Sequence, residues 1–453
     1  MNVGSVDAVA DVPDEPLPED LRELLRRLMA GETGVDADEI AKAMGLPGGA
    51  AGLERLMSQL RGAAQNADGT IDWSIATEQA VSGAGAQTLT PTDADRRRID
   101  QAFTVAGLWL DEAVAFGALP ETPTAMTRTQ WIRATMPFWS QLAEPVALSI
   151  ADALTRVFAE QAPPELASML GNTTAMLRSV CGTIFAAQLG AVVGQLATEV
   201  VSGGDVGIPL LPESRASLLP QNLAAFGAGL EVDEEQLALY LAVRELAHAR
   251  LFRHARWLRL NVTSAVTEFA RGIDIDMDRV QEFASGFDPS DPEKLRDALS
   301  SGALIPPRSE QQEIALGRLE TTLALIEGWV DVVTTEATSR LPRAAAVAET
   351  VRRRRATGGP AEQAFASLVG LELRPRRLRE AAALWRRISE AQGADARDAL
   401  WSSPDLLPTA EDIDAPDAFV ARLSGTADDV DQELEDLLRG DGDNRDEDSP
   451  PPV

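Results

Sequence analysis

The sequence predicts a mainly α-helical protein with at most a small β element. Apolar residues recur at three-and-four spacing through most of the chain. Gly and Pro clusters punctuate those stretches, as helix stops do. A single extended apolar run, SGGDVGIPLLPES at residues 202–214, is the place where a small strand is expected.

Taken in order, residues 1–17 are acidic and Pro-rich and offer too little apolar surface to offset ordering entropy, so a disordered acidic N-terminus is expected. Residues 18–90 read as a small helical N-terminal unit, carried by PEDLRELLRRLMAG and AAGLERLMSQLRGAA. The Thr/Pro cluster AQTLTPTD closes that unit, and Thr92 or Asp93 is placed to cap a strong helix over 93–117. Residues 91–410 form the main helical domain. Within it, helical patterns run through TRTQWIRATMPFW from Thr127, from Trp139 to Glu160, and from about Glu165 to Val201. Residues 233–271 give two helices separated near Arg256–Leu260, with Gly272 as a stop. DPSDPEKLRDALSSG, the span Ser309–Ala337 and basic amphipathic patterns over 344–400 continue the theme, with a break at VRRRRATGGP. Residues 411–453 are an acidic, largely disordered tail ending GDGDNRDEDSPPPV. No repeat at solenoid periods is present.

With 453 residues, 45% apolar and 25% charged, the chain is long enough for globular cores and ordinary in composition. Its net charge of -30 repels phosphate backbones and anionic membranes, which argues against nucleic acid and membrane surfaces as partners. The tail from residue 411 alone holds fifteen Asp/Glu against three Arg. Cys181 is the only cysteine, and the N-terminus carries neither a basic nor an apolar signal region, so a reducing, cytoplasmic location is expected. Residues 179–198 are uncharged and long enough to span a bilayer. Gln188, Gln195 and the absence of an aromatic belt instead favour a buried core helix, closely packed at Gly190 and Gly194.

Both histidines, His248 and His254, lie in ALYLAVRELAHARLFRHARWLRL. A helical HExxH sets two histidines about 40° apart on one face to bind zinc, and its Glu activates the bound water. Here Glu245 and His248 hold the last two of those offsets, while Arg244 stands at the first. Arginine has no lone pair to give a metal. His254 lies about 120° round the helix from His248 and cannot substitute without a break between them.

The stretches RELAHARLFRHARWL, LALIEGWVDVV and TVRRRRATGGPAEQAFASLVGLELRPRRLREAAALW resemble a bacterial zincin-like metallopeptidase family, one branch of which is associated with deazaflavin coenzyme biosynthesis. The resemblance runs from about Arg128 to Leu407 and implies a zincin-like helical fold, zinc as cofactor and peptide hydrolysis. It also implies Glu245 as general base and His248 and Glu327 as metal ligands, with Glu268 as a lower-ranked carboxylate ligand. Two departures stand out: Arg244 replaces the first His, and Trp329 replaces the His of an EGH-like motif. Two readings follow. One is a zinc-dependent metallopeptidase with an impaired or absent metal site, and the other a catalytically silent helical scaffold that binds an unidentified peptide or protein. In the second, Arg244 pairs with Glu327 or Glu268 and supplies the charge of the missing ion.

Tyr240 is a candidate for lining the same site. Trp131, Trp139, Trp257, Trp329 and Trp385 read as core residues. The run Arg352–Arg355 reads as a solvated helix end or a docking surface for the chain's own acidic segments. No phosphate-binding glycine loop, no GxSxG and no cysteine ligand pair is present.

Overall fold

The computed structural model describes residues 70–425 apart from 86, 162–169, 213–214, 231, 273–307 and 374. The acidic N-terminus, most of the 18–90 unit, DPSDPEKLRDALSSG and the tail beyond 425 lie outside the described residues.

Helix dominates. In chain order the elements are α1 (Ser74–Gly85), α2 (Asp93–Asp111), β1 (Thr124–Ala125), α3 (Arg128–Gln161), α4 (Leu170–Glu199), β2 (Ser217–Leu218), α5 (Pro220–Gly227), α6 (Glu234–His254), α7 (Trp257–Arg271), α8 (Glu310–Ala337), α9 (Ala344–Thr357), α10 (Pro360–Val369), α11 (Leu378–Ala399) and α12 (Ala410–Asp414). β1 and β2 pair in parallel, Thr124 with Ser217 and Ala125 with Leu218. Ser202 adds an antiparallel bridge to Leu218, so the strand expected within 202–214 lies one turn later in the chain and is only two residues long.

Local chemistry sets the helix ends. Thr92 and Asp95 form a capping box at the start of α2, and Ser309 and Gln312 form another at the start of α8. Ala255 ends α6, and the chain turns at Arg256 into α7, which stops at Gly272. The two helical patterns on either side of Trp139 are one helix, α3, which continues through Pro137 and Pro145. Each proline removes one backbone bond, and the apolar face from Trp131 to Val146 is buried throughout.

The domain boundary expected near residue 90 falls inside this body, because α1 packs against α3 and α4. A methyl at Gly190 would stand 2.4 Å from the carbonyl oxygen of Ala76, and one at Gly194 would stand 3.0 Å from that of Ala80. The helices therefore touch backbone to backbone. Cys181–Glu199 is long and apolar enough to cross a membrane, and most of it is buried within the fold. The tail boundary expected at 411 is also too early. Ile413 and Phe419 are buried in the core, and Arg377 and Arg387 bind Asp414 and Asp417.

Two apolar clusters fill the interior. One gathers α2, α6, α11 and the second half of α8; the other gathers α1, α3, α4, α7, α10 and the first half of α8. α6 is buried on every side from Tyr240 to Phe252, so each charge it carries must find a partner inside the protein.

Candidate functional site

α6, α8, α9 and the loop before β2 meet around one carboxylate. Glu327 is fully buried on α8. One turn apart on α6, Arg244 and His248 share a face and both reach it: the Arg244 guanidinium binds Oε2, and His248 Nε2 lies 3.1 Å from Oε1. Facing an ionised carboxylate, Nε2 carries the proton and donates. The Arg355 Nε, from α9, stands 3.7 Å from the same Oε2.

α9 runs antiparallel to α8 at this point and matches it in charge. Arg352 forms a two-pronged bond to Asp331 at 2.8 and 3.0 Å, and one turn on Arg355 addresses Glu327. Arg355 also donates to Glu362 at 2.5 Å and to the carbonyl of Val206 at 2.7 Å. Arg354 binds Asp205 at 3.2 Å and the carbonyl of Glu199. The arginine run is thus not a solvated end or a docking surface. Three of its four members point inward, and only Arg353 stays outside, paired with Glu349.

Glu245, 100° round α6 from Arg244, faces the loop instead. Its Oε2 accepts from Gly204 N at 2.8 Å and its Oε1 from Ser217 N at 3.0 Å. The β1–β2 pair thereby fixes the loop onto the helix. Glycine is required here for contact: Cβ atoms at Gly203 and Gly204 would stand 2.8 and 3.1 Å from the Glu245 carboxylate. At Gly207, φ is +83° and a Cβ would come within 2.4 Å of Glu327 Oε1. A cleft of about 10 Å³ beside Glu245 and His248, walled by Ile208, Leu211 and Phe252, has room for about one water.

The field in the site follows from these contacts. Burial alone would raise Glu327, but Arg244, Arg355 and the His248 bond outweigh it and hold the carboxyl well below the usual range. Burial lowers His248, against the pull of Glu327. Burial pushes Glu245 up to about 7, with Ser217 N, Ser202 and Gly204 N opposing. Burial also raises Tyr240 to about 12.

This donor set does not fit a zinc ion. Both oxygens of Glu327 and the Nε2 of His248 are committed to each other and to guanidinium groups, and both oxygens of Glu245 are held by backbone N–H groups. Among the described residues no cluster of three His, Cys, Asp or Glu is disposed to hold a metal.

Of the residues singled out from sequence, Arg244, Glu245, His248 and Glu327 come together, and Tyr240 lies one turn before Arg244 within reach of its charge. Glu268 does not join them. It is half-exposed on α7 and pairs with Arg318 at 3.5 Å, so the partner of Arg244 is Glu327. Trp329 points away from Glu327 and donates to Asp398 at 2.9 Å, beside Phe116 and Trp401. His254 is exposed on the last turn of α6, stacked on Phe116. Sequence reasoning missed Arg355, Asp205 and the glycine loop; the signal was the arginine run, whose three-residue spacing matches the four-residue spacing of Glu327 and Asp331.

Comparison with known proteins agrees with this architecture. The chain resembles the crystal structure of a candidate hydrolase of novel fold from Chloroflexus aurantiacus, with a TM-score of 0.53 and 18% identity over 78% of this chain and 99% of that one. That likeness concerns the fold. No curated protein matches the chain. A family model described as zincin-like metallopeptidase matches residues 71–420. The chain belongs to the zincin-like metallopeptidase family.

Proposed function

We propose that this chain is a non-hydrolytic member of its family, a scaffold that binds a peptide or protein, in which the Arg244 guanidinium takes the position and the charge of a zinc ion. The Arg244–Glu327 pair carries the reading, because it uses the carboxylate that the resemblance assigns to the metal. A permanently charged guanidinium cannot be displaced by deprotonation, and removing it would leave Glu327 as a buried, undercompensated anion. The close seat of Gly203, Gly204 and Gly207 on Glu245, His248 and Glu327 supports the same reading, since it leaves little room for a scissile peptide.

One observation favours hydrolysis: a carboxyl near 7, as at Glu245, suits general-base work. Its two oxygens, however, are spent on loop backbone.

Incubation of the full-length protein with zinc and a mixed peptide library, read by mass spectrometry, separates the two. The proposal expects no cleavage that depends on Glu245. Cleavage abolished both by chelation and by Glu245→Gln would overturn it.

A further inference from the structure

Residues 340–397 hold thirteen arginines against six Asp/Glu, in a chain whose net charge is -30. Several of these arginines are taken up inside the fold, by Glu327, Asp331, Asp205 and Asp398. Those on the outer side of α11 are not. Arg379 and Arg386 stand seven residues apart, two turns of helix, so they share one side of α11 about 10 Å from each other. Arg379 is 69% exposed and approaches only Glu349, at 3.5 Å, a carboxylate that Arg353 already holds at 2.8 Å. Arg386 is exposed and donates from Nε to the carbonyl of Ala382 at 3.1 Å, with no acidic partner among the described residues.

The margin of this face already receives groups from the C-terminal part of the chain. Arg377 binds Asp414 and, at 3.1 Å, the carbonyl of Ala410. Arg387, next to Arg386, binds Asp417 at 2.7 Å, and Gln392 donates to Ser424 at 2.7 Å. The described chain ends there, at Gly425, and twenty-eight residues follow with eleven Asp/Glu against Arg439 and Arg445. Ten extended residues reach about 33 Å, whereas Gln392 lies about 20 Å along α11 from Arg379. The tail is therefore long enough to return along the helix, and it carries the charge that the face lacks.

We infer that the acidic segment 428–448 docks on the outer face of its own chain's α11, with carboxylates on Arg379 and Arg386, and extends the acid–arginine pairs begun by Asp414 and Asp417. Each such pair on an exposed helix is weak alone, and several on one tethered segment act together because the tether keeps their local concentration high. The docked segment screens a cationic face from other acidic chains. The assignment uses none of the groups around Glu327 and stands apart from the question of hydrolysis.

Carbodiimide coupling of the full-length protein tests it, because the reagent joins amines to carboxylates in direct contact and the chain has no lysines but Lys42 and Lys294. Arg379→Lys and Arg386→Lys each place an amine on the face while keeping its charge, and peptide mapping of the monomeric product reads the partner. Coupling to carboxylates of residues 428–448 is expected from both positions, and its loss is expected at about 0.5 M salt, where charges are screened beyond about 4 Å. Adding Arg386→Glu to Arg379→Lys should reduce it about threefold or more. Arg97→Lys, exposed on α2, is the reference for random encounter. Tail coupling no stronger than from Arg97→Lys, coupling confined to Glu349 or Glu390, coupling unchanged by Arg386→Glu, or coupling found only between two copies would each overturn the assignment.

Discussion

At the scale of single residues, the interior is decided by where an arginine stands. Breaking one partner out of a buried pair leaves the other charge stranded, so Arg244→Ala should lower stability by about 3–5 kcal/mol in urea unfolding. Replacing both partners by apolar groups, Arg244→Met with Glu327→Leu, should recover much of that loss, and a double variant no better than the single would contradict the pairing. Gly207→Ala should cost at least about 1–3 kcal/mol, because the left-handed backbone and the contact with Glu327 penalise any Cβ. Glu245 gives a pH signature. Its folded-state value, near 7, is raised above the ordinary 4.5, so its contribution is full below about 4.5 and is lost as pH climbs through 7. Glu245→Gln should therefore gain on the native chain between about pH 5 and about pH 8, by on the order of 3 kcal/mol, read from urea midpoints across that range. A constant difference across pH would mean that burial does not shift this group.

Among elements, long amphipathic helices with side-chain caps were legible: Ser309 marks the start of α8, and Gly272 the end of α7. Elements defined by tertiary contact were not. The two patterns that meet at Trp139 read locally as separate helices, and only the continuous buried face joins them in α3. Arg352–Arg355 read as a surface run because nothing local reveals that α8 brings Asp331 and Glu327 alongside it. The site was half legible for the same reason. Residues sharing one turn of α6 follow from spacing, whereas the glycine loop enters only through the fold. The α1–α4 contact offers a test at this scale. Gly190→Val should destabilise by about 1–3 kcal/mol or more through overpacking, and hydrogen exchange should show protection lost first in α1. Uniform loss across all helices would argue that α1 is not separately held by that contact.

For the whole molecule, the proposed exchange of one cation for another is set on a scaffold of the zincin-like family: the guanidinium groups of Arg244 and Arg355 lie against Glu327, the carboxylate that the resemblance assigns to a metal. The two apolar clusters divide α8 between Leu323 and Ala324, one turn before Glu327. Titration of zinc into the native protein and into Arg244→His is the most direct measurement. No saturable zinc binding is expected of the native chain, and a stoichiometric site is expected of the variant, which gains a second imidazole facing His248 and Glu327. One zinc bound per native chain, lost in His248→Ala, would contradict it.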